Sequence, residues 1–337
     1  MISLKDIANA CGVSVATVSK ALNDHKDIGD ETKQNIRQVA KEMGYVPNAA
    51  AKSMKTNRTH NIGVLFVDEA NSGLTHDYFA NVLDSFKREV EKEGYDITFI
   101  SNDRSRPGRT SYLEHARYRR FDGVVLACVK FDDPEVIELV NSDIPVVTID
   151  HIYNGKTAVM SDNAGGMRAL VEYVLSKGHK KIAYIHGADS TVTKSRLVTF
   201  RKVLEENNIE VSDEFISEAP YRSTHETYEK TLELLELEDR PTCIFFPDDY
   251  ASYGGIRAIN EKGLRVPEDI SVVGFDGLRI ARHIRPRLTT LRQDTTRLGQ
   301  EAAKNLINLI ERPKTTLSEQ IIVKGSLFEG DTVQDIN

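Results

Sequence analysis

Two spacings of apolar residues divide the chain near residue 60. In the first 60 residues, apolar positions recur three or four residues apart, as in Ile7 and Cys11, which is the spacing of short amphipathic helices. Gly12 suits the left-handed position that ends a helix, and Ser14 suits the N-cap of the next one. The pattern predicts a helix-turn-helix, followed by a third helix that begins at Asp30.

The second predicted helix has one apolar face and one outer face. Val18 and Leu22 are four residues apart and therefore point together toward the interior. The outer face consists of Val15, Ala16, Ser19, Lys20 and Asn23. The second helix of a helix-turn-helix enters the major groove of DNA. A small helical bundle shows the same periodicity, so the spacing alone leaves both interpretations open.

After residue 60, short continuous apolar runs alternate with stretches of helical pattern. Such runs are typical of buried parallel strands, and their alternation with helices predicts doubly wound α/β folding. About 270 residues would form two lobes of this kind. The predicted strands cover residues 62–67, 97–100, 123–127, 145–149, 182–185, 242–246 and 271–275.

Length and composition agree with a multi-domain globular protein. The chain has 337 residues, of which 40% are apolar and 28% are charged, enough for a sizeable core in two or three domains. No apolar run approaches the roughly 18 residues of a membrane span, and the first residues lack the apolar core of a signal peptide. We therefore expect a cytoplasmic protein.

The charge is distributed unevenly along the chain. The net charge is −7, but residues 1–60 hold 9 basic and 6 acidic residues, or +3, which leaves −10 for the remainder. An excess of three positive charges is compatible with DNA binding but does not establish it.

Motifs of metal, cofactor and enzyme sites are missing from the sequence. The three cysteines, Cys11, Cys128 and Cys243, show neither CxxC nor Cys/His ligand spacing. No G-x-G-x-x-G follows a predicted strand, and neither G-x-S-x-G nor H-E-x-x-H occurs. We therefore predict no cofactor, no bound metal and no enzymatic activity.

Carboxylates follow three of the predicted strands. They are Asp150, the pair Asp248 and Asp249, and Asp276. Ligands of open α/β sheets bind where the carboxyl ends of strands face a crevice, and a carboxylate there can accept hydrogen bonds from the hydroxyl groups of a polyol. An aspartate at a strand end can equally be the N-cap of the following helix, and both interpretations stay open here.

Several segments resemble one family of regulators. The string LKDIANACGVSVATVSKALN, followed by GYVPNAAAKSMKT, resembles the N-terminus of the lactose/galactose repressor (LacI/GalR) family of bacterial transcription regulators. The segments SDNAGGMRALVEYVLSKGHKKIAYI, VPEDISVVGFDG and LTTLRQD are similar to the effector-binding core that this family shares with periplasmic sugar-binding proteins. The resemblance covers residues 3–330.

The resemblance implies an N-terminal all-α helix-turn-helix followed by an α/β, periplasmic-binding-protein-like core of two doubly wound parallel-sheet lobes. We expect a DNA-binding domain at residues 1–46, a hinge helix or linker at 47–60, and an effector-binding and dimerisation domain at 61–330. Within the last domain, the first lobe would comprise about 61–160 and 293–320. The second lobe would comprise about 161–292 and 321–330.

The resemblance also implies the DNA contacts. Base edges would be read by Val15, Ala16 and Lys20, and phosphates would be held by Ser14, Thr17, Ser19, Asn23 and Tyr45. These side chains suit the roles, because hydroxyl and amide groups donate to phosphates and a lysine can donate to guanine.

Residues 48–55 would form the hinge helix of the family, which pairs with its dimer mate in the minor groove through Ala51, Met54 and Lys55. Met54 stands at the position of the apolar wedge, where leucine is usual in the family. Eight residues are too few for a stable helix in water, so composition alone favours a basic linker.

The effector contacts implied by the resemblance come from both lobes. Arg196, Asp276 and Asp248 would be central, with Tyr221, Asp150, Gln293, His76 and Tyr78 as further candidates. Two departures from the family pattern add polarity: the pair Asp248 and Asp249 replaces Asn-Asp, and residues 74–79 replace Asn-Pro-Phe-Phe. These departures favour an effector with amino groups or many hydroxyl groups, although His76 and Asp77 could equally be surface residues.

The sequence therefore predicts a transcriptional regulator, most simply a repressor, that binds a palindromic operator in double-stranded DNA as a homodimer. A small-molecule effector, by this interpretation a carbohydrate, switches it. The competing hypothesis is a ligand-binding sensor that lacks DNA-regulatory activity.

Overall fold

The computed structural model describes residues 2–46, 58–68, 72–100, 108, 110–283 and 285–337. The chain divides into two compact units, Met1–Thr59 and His60–Asn337.

Residues 2–46 of the first unit form three helices: α1 (Leu4–Cys11), α2 (Val15–Leu22) and α3 (Asp30–Glu42). Ser3 and Asp6 form a capping box at the start of α1, and Gly12 ends this helix with a φ of 66°. The helices bury a common core of Ile7, Ala8, Val18, Ala21, Ile36 and Ala40. The predicted helix-turn-helix is therefore present, and Ala21 is more deeply buried than the predicted inward residue Leu22.

The second unit contains two six-stranded sheets. The first sheet has the order β11–β5–β4–β3–β1–β2, and all of its strands are parallel. Its strands are β1 (Asn61–Phe66), β2 (Asp96–Phe99), β3 (Gly123–Ala127), β4 (Val146–Ile149), β5 (Thr157–Ser161) and β11 (Gln320–Val323).

The second sheet has the order β12–β10–β9–β8–β6–β7, in which only the edge strand β12 runs antiparallel to its neighbour. Its strands are β6 (Ile182–His186), β7 (Ile216–Glu218), β8 (Cys243–Phe245), β9 (Ser271–Asp276), β10 (Thr289–Arg292) and β12 (Ser326–Phe328). The predicted fold class of two doubly wound lobes is confirmed.

Helices pack against both sheets and bury their apolar faces in the lobe cores. They are α4 (Asp77–Lys92), α5 (Tyr112–Arg119), α6 (Pro134–Val140), α7 (Asn163–Ser176), α8 (Thr191–Glu206), α9 (Thr224–Leu235), α10 (Asp249–Glu261), α11 (Arg279–His283) and α12 (Thr295–Glu311). In the part of the chain that the structure describes, no helix combines the length and the apolar character needed to cross a membrane.

The chain crosses between the lobes three times, after β5, after β10 and after β11. The sequence placed the third crossing after residue 320. The structure places it after Val323, because Gln320 to Val323 pair with β5 of the first sheet. The second lobe also extends beyond residue 330, since Thr332 donates to the backbone oxygen of Val272 at 2.7 Å.

Candidate DNA-reading helix and effector cleft

The predicted reading face of α2 is accessible. Val15 is 44% exposed, Ala16, Lys20 and Asn23 are exposed, and Ser19 is half-buried. Because the opposite side of the helix buries Val18, these residues form one continuous stripe on the outside. The structure thus brings the predicted base-reading residues together on one face.

The predicted phosphate-binding residues frame the start and the end of α2. Ser14 is its N-cap: its hydroxyl accepts the Thr17 amide proton at 3.0 Å and lies 2.8 Å from the Thr17 hydroxyl. Asn23 is the C-cap and donates to the Ser19 carbonyl at 2.7 Å. Tyr45 is half-buried and packs against the core of the three helices. The N-terminal amides of α2 provide a favourable site for a phosphate.

Lys20 forms an ion pair within the first unit. Its ammonium lies 2.5 Å from the Asp27 carboxylate, and its side chain is 47% exposed. This hydrogen bond lowers the pKa of Asp27. Asp27 therefore competes with DNA for the amine that is expected to read a base. The other predicted DNA contacts, Ala51, Met54 and Lys55, lie outside the described residues.

Arg196 on α8 is buried and is held in a fixed orientation by residues of the second lobe. Its Nε donates to Asn163 Oδ1 at 2.8 Å, and Nη1 donates to the Pro247 carbonyl at 3.1 Å. Its guanidinium carbon lies 3.5 Å from the centroid of the Phe275 ring, and Nη2 lies 4.0 Å from Asp276 Oδ1. A buried guanidinium with this many partners is a preorganised donor.

Asp276 ends β9 with a φ of 108°, which is unusual for a residue with a side chain. It accepts a hydrogen bond of 2.6 Å from Gln293 Nε2. Burial raises the pKa of Asp276 to about 7, although Arg196 acts in the opposite direction. Gln293 Oε1 is buried and has no hydrogen-bond partner among the described residues. It therefore offers an acceptor beside the carboxyl group.

Asp150 is a hydrogen-bond acceptor on the first lobe. It follows β4 with a φ of 60°, accepts a 2.8 Å hydrogen bond from the Tyr78 hydroxyl, and accepts the Ser161 amide proton at 2.9 Å. Burial raises the pKa of Asp150, and burial also raises that of Tyr78. Arg196 acts to lower the pKa of Asp150, so the charges from the two lobes influence one another.

The two adjacent aspartates have different environments from those the sequence suggested. Asp248 is the N-cap of α10, accepting from the Ala251 amide at 2.8 Å and the Arg222 amide at 2.7 Å. Asp249 is fully buried, with one oxygen bound to Thr290 and the other to the Leu278 amide. The Asp249 carboxylate therefore binds groups inside the second lobe and does not add the expected polarity to the pocket.

Tyr221 is a further predicted effector contact, and its hydroxyl lies 2.8 Å from the Thr193 hydroxyl. Its ring packs so close to Gly187 that a Cβ at residue 187 would lie 2.2 Å from the ring. The next residue, Arg222, was not predicted from the sequence. It bridges the lobes, because its Nε donates to the Ser72 hydroxyl at 3.1 Å and its Nη1 lies 3.8 Å from Asp77.

His76 is buried, with 9% of its surface exposed, so the surface alternative for this residue is wrong. It is the residue before α4, and its ring packs edge-on against Phe79 with centroids 5.0 Å apart. Burial lowers the pKa of His76 to about 4, so the imidazole is neutral at physiological pH.

A cavity of about 450 Å³ lies beside Asp276, Gln293 and Tyr78. Four cations also line it: Arg279, Arg282, Arg292 and Lys324. None of the four forms an ion pair with another residue that the structure describes. The volume falls in the usual range for small-molecule sites. Arg196, Asp150, Asp248, Tyr221 and His76 do not line this cavity.

Comparison with known proteins gives matches along nearly the whole chain. Residues 3–48 match the family described as bacterial regulatory proteins, lacI family, and residues 171–333 match a periplasmic binding protein-like domain. The HTH-type transcriptional repressor PurR of Mannheimia succiniciproducens is 34% identical over 97% of this chain and 99% of that protein. The repressor of the same name from Serratia proteamaculans is 34% identical over 99% of this chain and 98% of its own length.

A solved structure of the Lac repressor dimer bound to operator and the anti-inducer ONPF aligns with a TM-score of 0.83 and 25% identity, covering 99% of each chain. These matches confirm the expected fold class and the expected function as an effector-regulated, DNA-binding transcriptional regulator. The chain belongs to the lacI family of bacterial regulatory proteins.

Proposed function

We propose that the protein is a homodimeric repressor that binds a palindromic operator through α2 and is switched by a carbohydrate bound between the two lobes. The observation that carries the effector class is the arrangement around Arg196. A guanidinium held by Asn163 and Pro247 faces the Asp276 carboxyl group, next to the acceptor Gln293. Donors and acceptors that alternate over a few ångströms match the hydroxyl groups of a sugar.

The proposed dimer and the repressing mode are supported by the relatives. The full-length matches from Mannheimia and Serratia are named repressors, and the Lac repressor structure is a dimer on its operator. These relatives are named repressors, and the match extends over nearly their whole length. We therefore also propose that the chain has no enzymatic activity.

We further propose that Ala51, Met54 and Lys55 contact the minor groove when two chains meet on DNA. A segment of this length gains helical structure only when something packs on it. Ordering of the hinge would therefore be linked to dimer geometry, and an effector that favours a different lobe geometry would change operator affinity.

The effector contacts proposed are Arg196, Asp276, Gln293, Asp150 and Tyr78, with Asp248, Tyr221 and His76 supporting the cleft walls. Both oxygens of Asp248 accept hydrogen bonds from backbone amides, so its role would be to position α10 and Arg222. Tyr221 would bring an aromatic surface, which is the usual partner of the apolar face of a sugar ring.

The test is selection of bound sequences from random DNA at stated salt, with and without a panel of carbohydrates. The panel includes sugars with phosphate or carboxylate groups, because four cations line the cavity beside Asp276. We expect an enriched palindrome whose recovery one panel member changes. Enrichment without any response would reject the carbohydrate effector, and no enrichment would favour a sensor without DNA-regulatory activity.

A further inference from the structure

Three residues far apart in sequence meet at one end of the first sheet. β1 and β3 are parallel neighbours, and Phe66 pairs with Ala127 where both strands end. Asp68 follows β1, Cys128 follows β3, and His76 precedes α4. One oxygen, the thiol sulfur and one ring nitrogen of these residues all lie within 4.8 Å of one another.

Neighbouring groups hold the three side chains in place. Asp68 Oδ2 accepts the Ser72 amide proton at 2.6 Å and the Gly73 amide proton at 3.0 Å, and these two hydrogen bonds fix the orientation of the carboxylate. Cys128 lies in the left-handed region with a φ of 52°. A non-glycine residue is rarely held in this conformation, and such positions are frequent at functional sites.

The buried imidazole supplies an independent observation. His76 is 91% buried, and its Nδ1 atom has no hydrogen-bond partner among the described residues. A buried polar nitrogen ordinarily has a partner, and one without it requires an explanation, such as a bound ion. The imidazole packs edge-on against Phe79 with ring centroids 5.0 Å apart, and one of its ring nitrogens lies within the cluster.

The combination of donors identifies the chemical class of the ligand. Thiolate, imidazole and carboxylate together are the ligands of zinc and of similar thiophilic divalent cations, whereas magnesium and calcium prefer oxygen alone. Zinc bonds of about 2.0–2.3 Å place tetrahedral ligands about 3.3–3.8 Å apart, so small side-chain rotations would close the observed spacing.

We propose that Asp68, His76 and Cys128 bind a thiophilic divalent cation, for which Zn²⁺ is the probe. The carboxylate and the thiolate balance the charge of the ion, and three protein ligands leave one position of a tetrahedron open for a water molecule. The site is distinct from the cavity beside Asp276, whose lining includes none of the three residues. The expected absence of metal rested on local spacing, and these ligands come from residues 68, 76 and 128.

Bound metal would influence the effector cleft through α4. His76 stands two residues before Tyr78, which donates to Asp150. Fixing the start of α4 would therefore fix the position of the Tyr78 hydroxyl. This link rests on the proposed function, whereas metal binding itself is measured without effector or DNA.

The experiment titrates reduced, chelator-treated full-length protein with Co²⁺, followed by displacement with Zn²⁺. We expect one equivalent of Co²⁺ with a sulfur-to-cobalt charge-transfer band that Zn²⁺ removes. Cys128→Ser should abolish the band, and His76→Gln and Asp68→Asn should each weaken affinity about tenfold or more. Cys11→Ser is the matched control, because Cys11 is also partly exposed but lies in the first unit.

A band that survives in Cys128→Ser, disappears in Cys11→Ser, or is missing from the unaltered protein would overturn the proposal. A second measurement needs no variant and so does not depend on the folding of one. Zn²⁺ should slow alkylation of Cys128 by iodoacetamide at least tenfold, as located by peptide mass spectrometry, while Cys11 reacts at an unchanged rate. Equal slowing at both cysteines, or none at Cys128, would also overturn it.

Discussion

The guanidinium carbon of Arg196 lies 3.5 Å from the centroid of the Phe275 ring, one residue before Asp276 in the chain. The ring therefore supports the flat face of the guanidinium while its edges face Asn163, Pro247 and Asp276. Stacking and edge hydrogen bonds together require the planar fork of arginine, which lysine cannot reproduce.

We predict that Arg196→Lys reduces effector affinity about 10-fold to 100-fold, because the charge remains but the paired donors are lost. Isothermal titration calorimetry measures the affinity, since the chain has no tryptophan for fluorescence. Arg201→Lys is the matched control, because Arg201 lies on the same helix but is exposed. Equal affinities of Arg196→Lys and unaltered protein would remove Arg196 from the effector site.

Effector binding should depend on pH through Asp276. Its pKa is raised to about 7, so the carboxyl group is largely protonated at pH 6 and largely ionised at pH 8. A sugar hydroxyl that donates to Asp276 needs the ionised form, so affinity should rise by up to about tenfold per pH unit below pH 7 and level off above it. Asp276→Asn should flatten this profile, and a profile that keeps its slope in the variant would assign the dependence to another group.

Asp276 should also affect the stability of the protein without effector. Because its folded pKa lies above the unfolded value, its contribution is fully present below about pH 4 and is lost as the pH rises toward 7. The unfolding free energy of the unaltered protein, relative to Asp276→Asn, should therefore fall over this window, by at most about 1.4 kcal/mol per pH unit. Urea unfolding at several pH values gives this difference, which should rise if the assigned sign is wrong.

Lys20 and Asp27 should have opposite effects on DNA binding. Lys20→Ala should weaken operator binding by about 1–3 kcal/mol and relax base preference at one position of each half-site. Asp27→Asn frees the Lys20 amine from its ion pair and should therefore strengthen binding. Fluorescence anisotropy with labelled operator at fixed salt measures both. Lys202→Ala, exposed on α8, should change nothing, and an unchanged base preference in Lys20→Ala would reject the reading role.

The contact between α12 and α4 should be intolerant of any added atom at Gly299. A Cβ there would lie 2.4 Å from the Val82 carbonyl oxygen and 2.6 Å from the Phe86 amide nitrogen, both of which belong to backbone. Gly299→Ala should therefore separate the helices and reduce the unfolding free energy by about 1–3 kcal/mol. Thermal unfolding tests this against Lys304→Ala, an exposed position on α12, and equal melting temperatures would contradict it.

The apolar pattern predicted the continuous buried strands but not the polar ones. β3 is buried throughout and was readily predicted, whereas β5 begins with Thr157 after a Gly-Lys turn and was not. The edge strands β7, β11 and β12 are only three or four residues long and partly exposed, so their apolar runs are too short to predict a strand, and pairing with a neighbouring strand defines them.

The sequence predicted those site residues that directly follow a strand. It did not predict contacts whose two partners are far apart in the sequence. Asp150 and Asp276 could be identified from the strands before them. The internal role of Asp249 depends on Thr290, and the bridge made by Arg222 depends on Ser72, neither of which is near in sequence. Burial of His76 likewise follows from tertiary packing rather than from its polar neighbours in the sequence.

The pairing of β11 with β5 determines when the first sheet can be completed during synthesis. Gln320 lies opposite Ala158, so the first sheet receives its last strand only after 162 further residues, including all of α7 and α8, have been made. On a ribosome, β5 would carry an open edge for most of the time in which the second lobe is translated, and open edges of strands favour misassembly. A chain truncated before residue 320 should therefore refold with low yield, even though its second lobe retains five of its six strands.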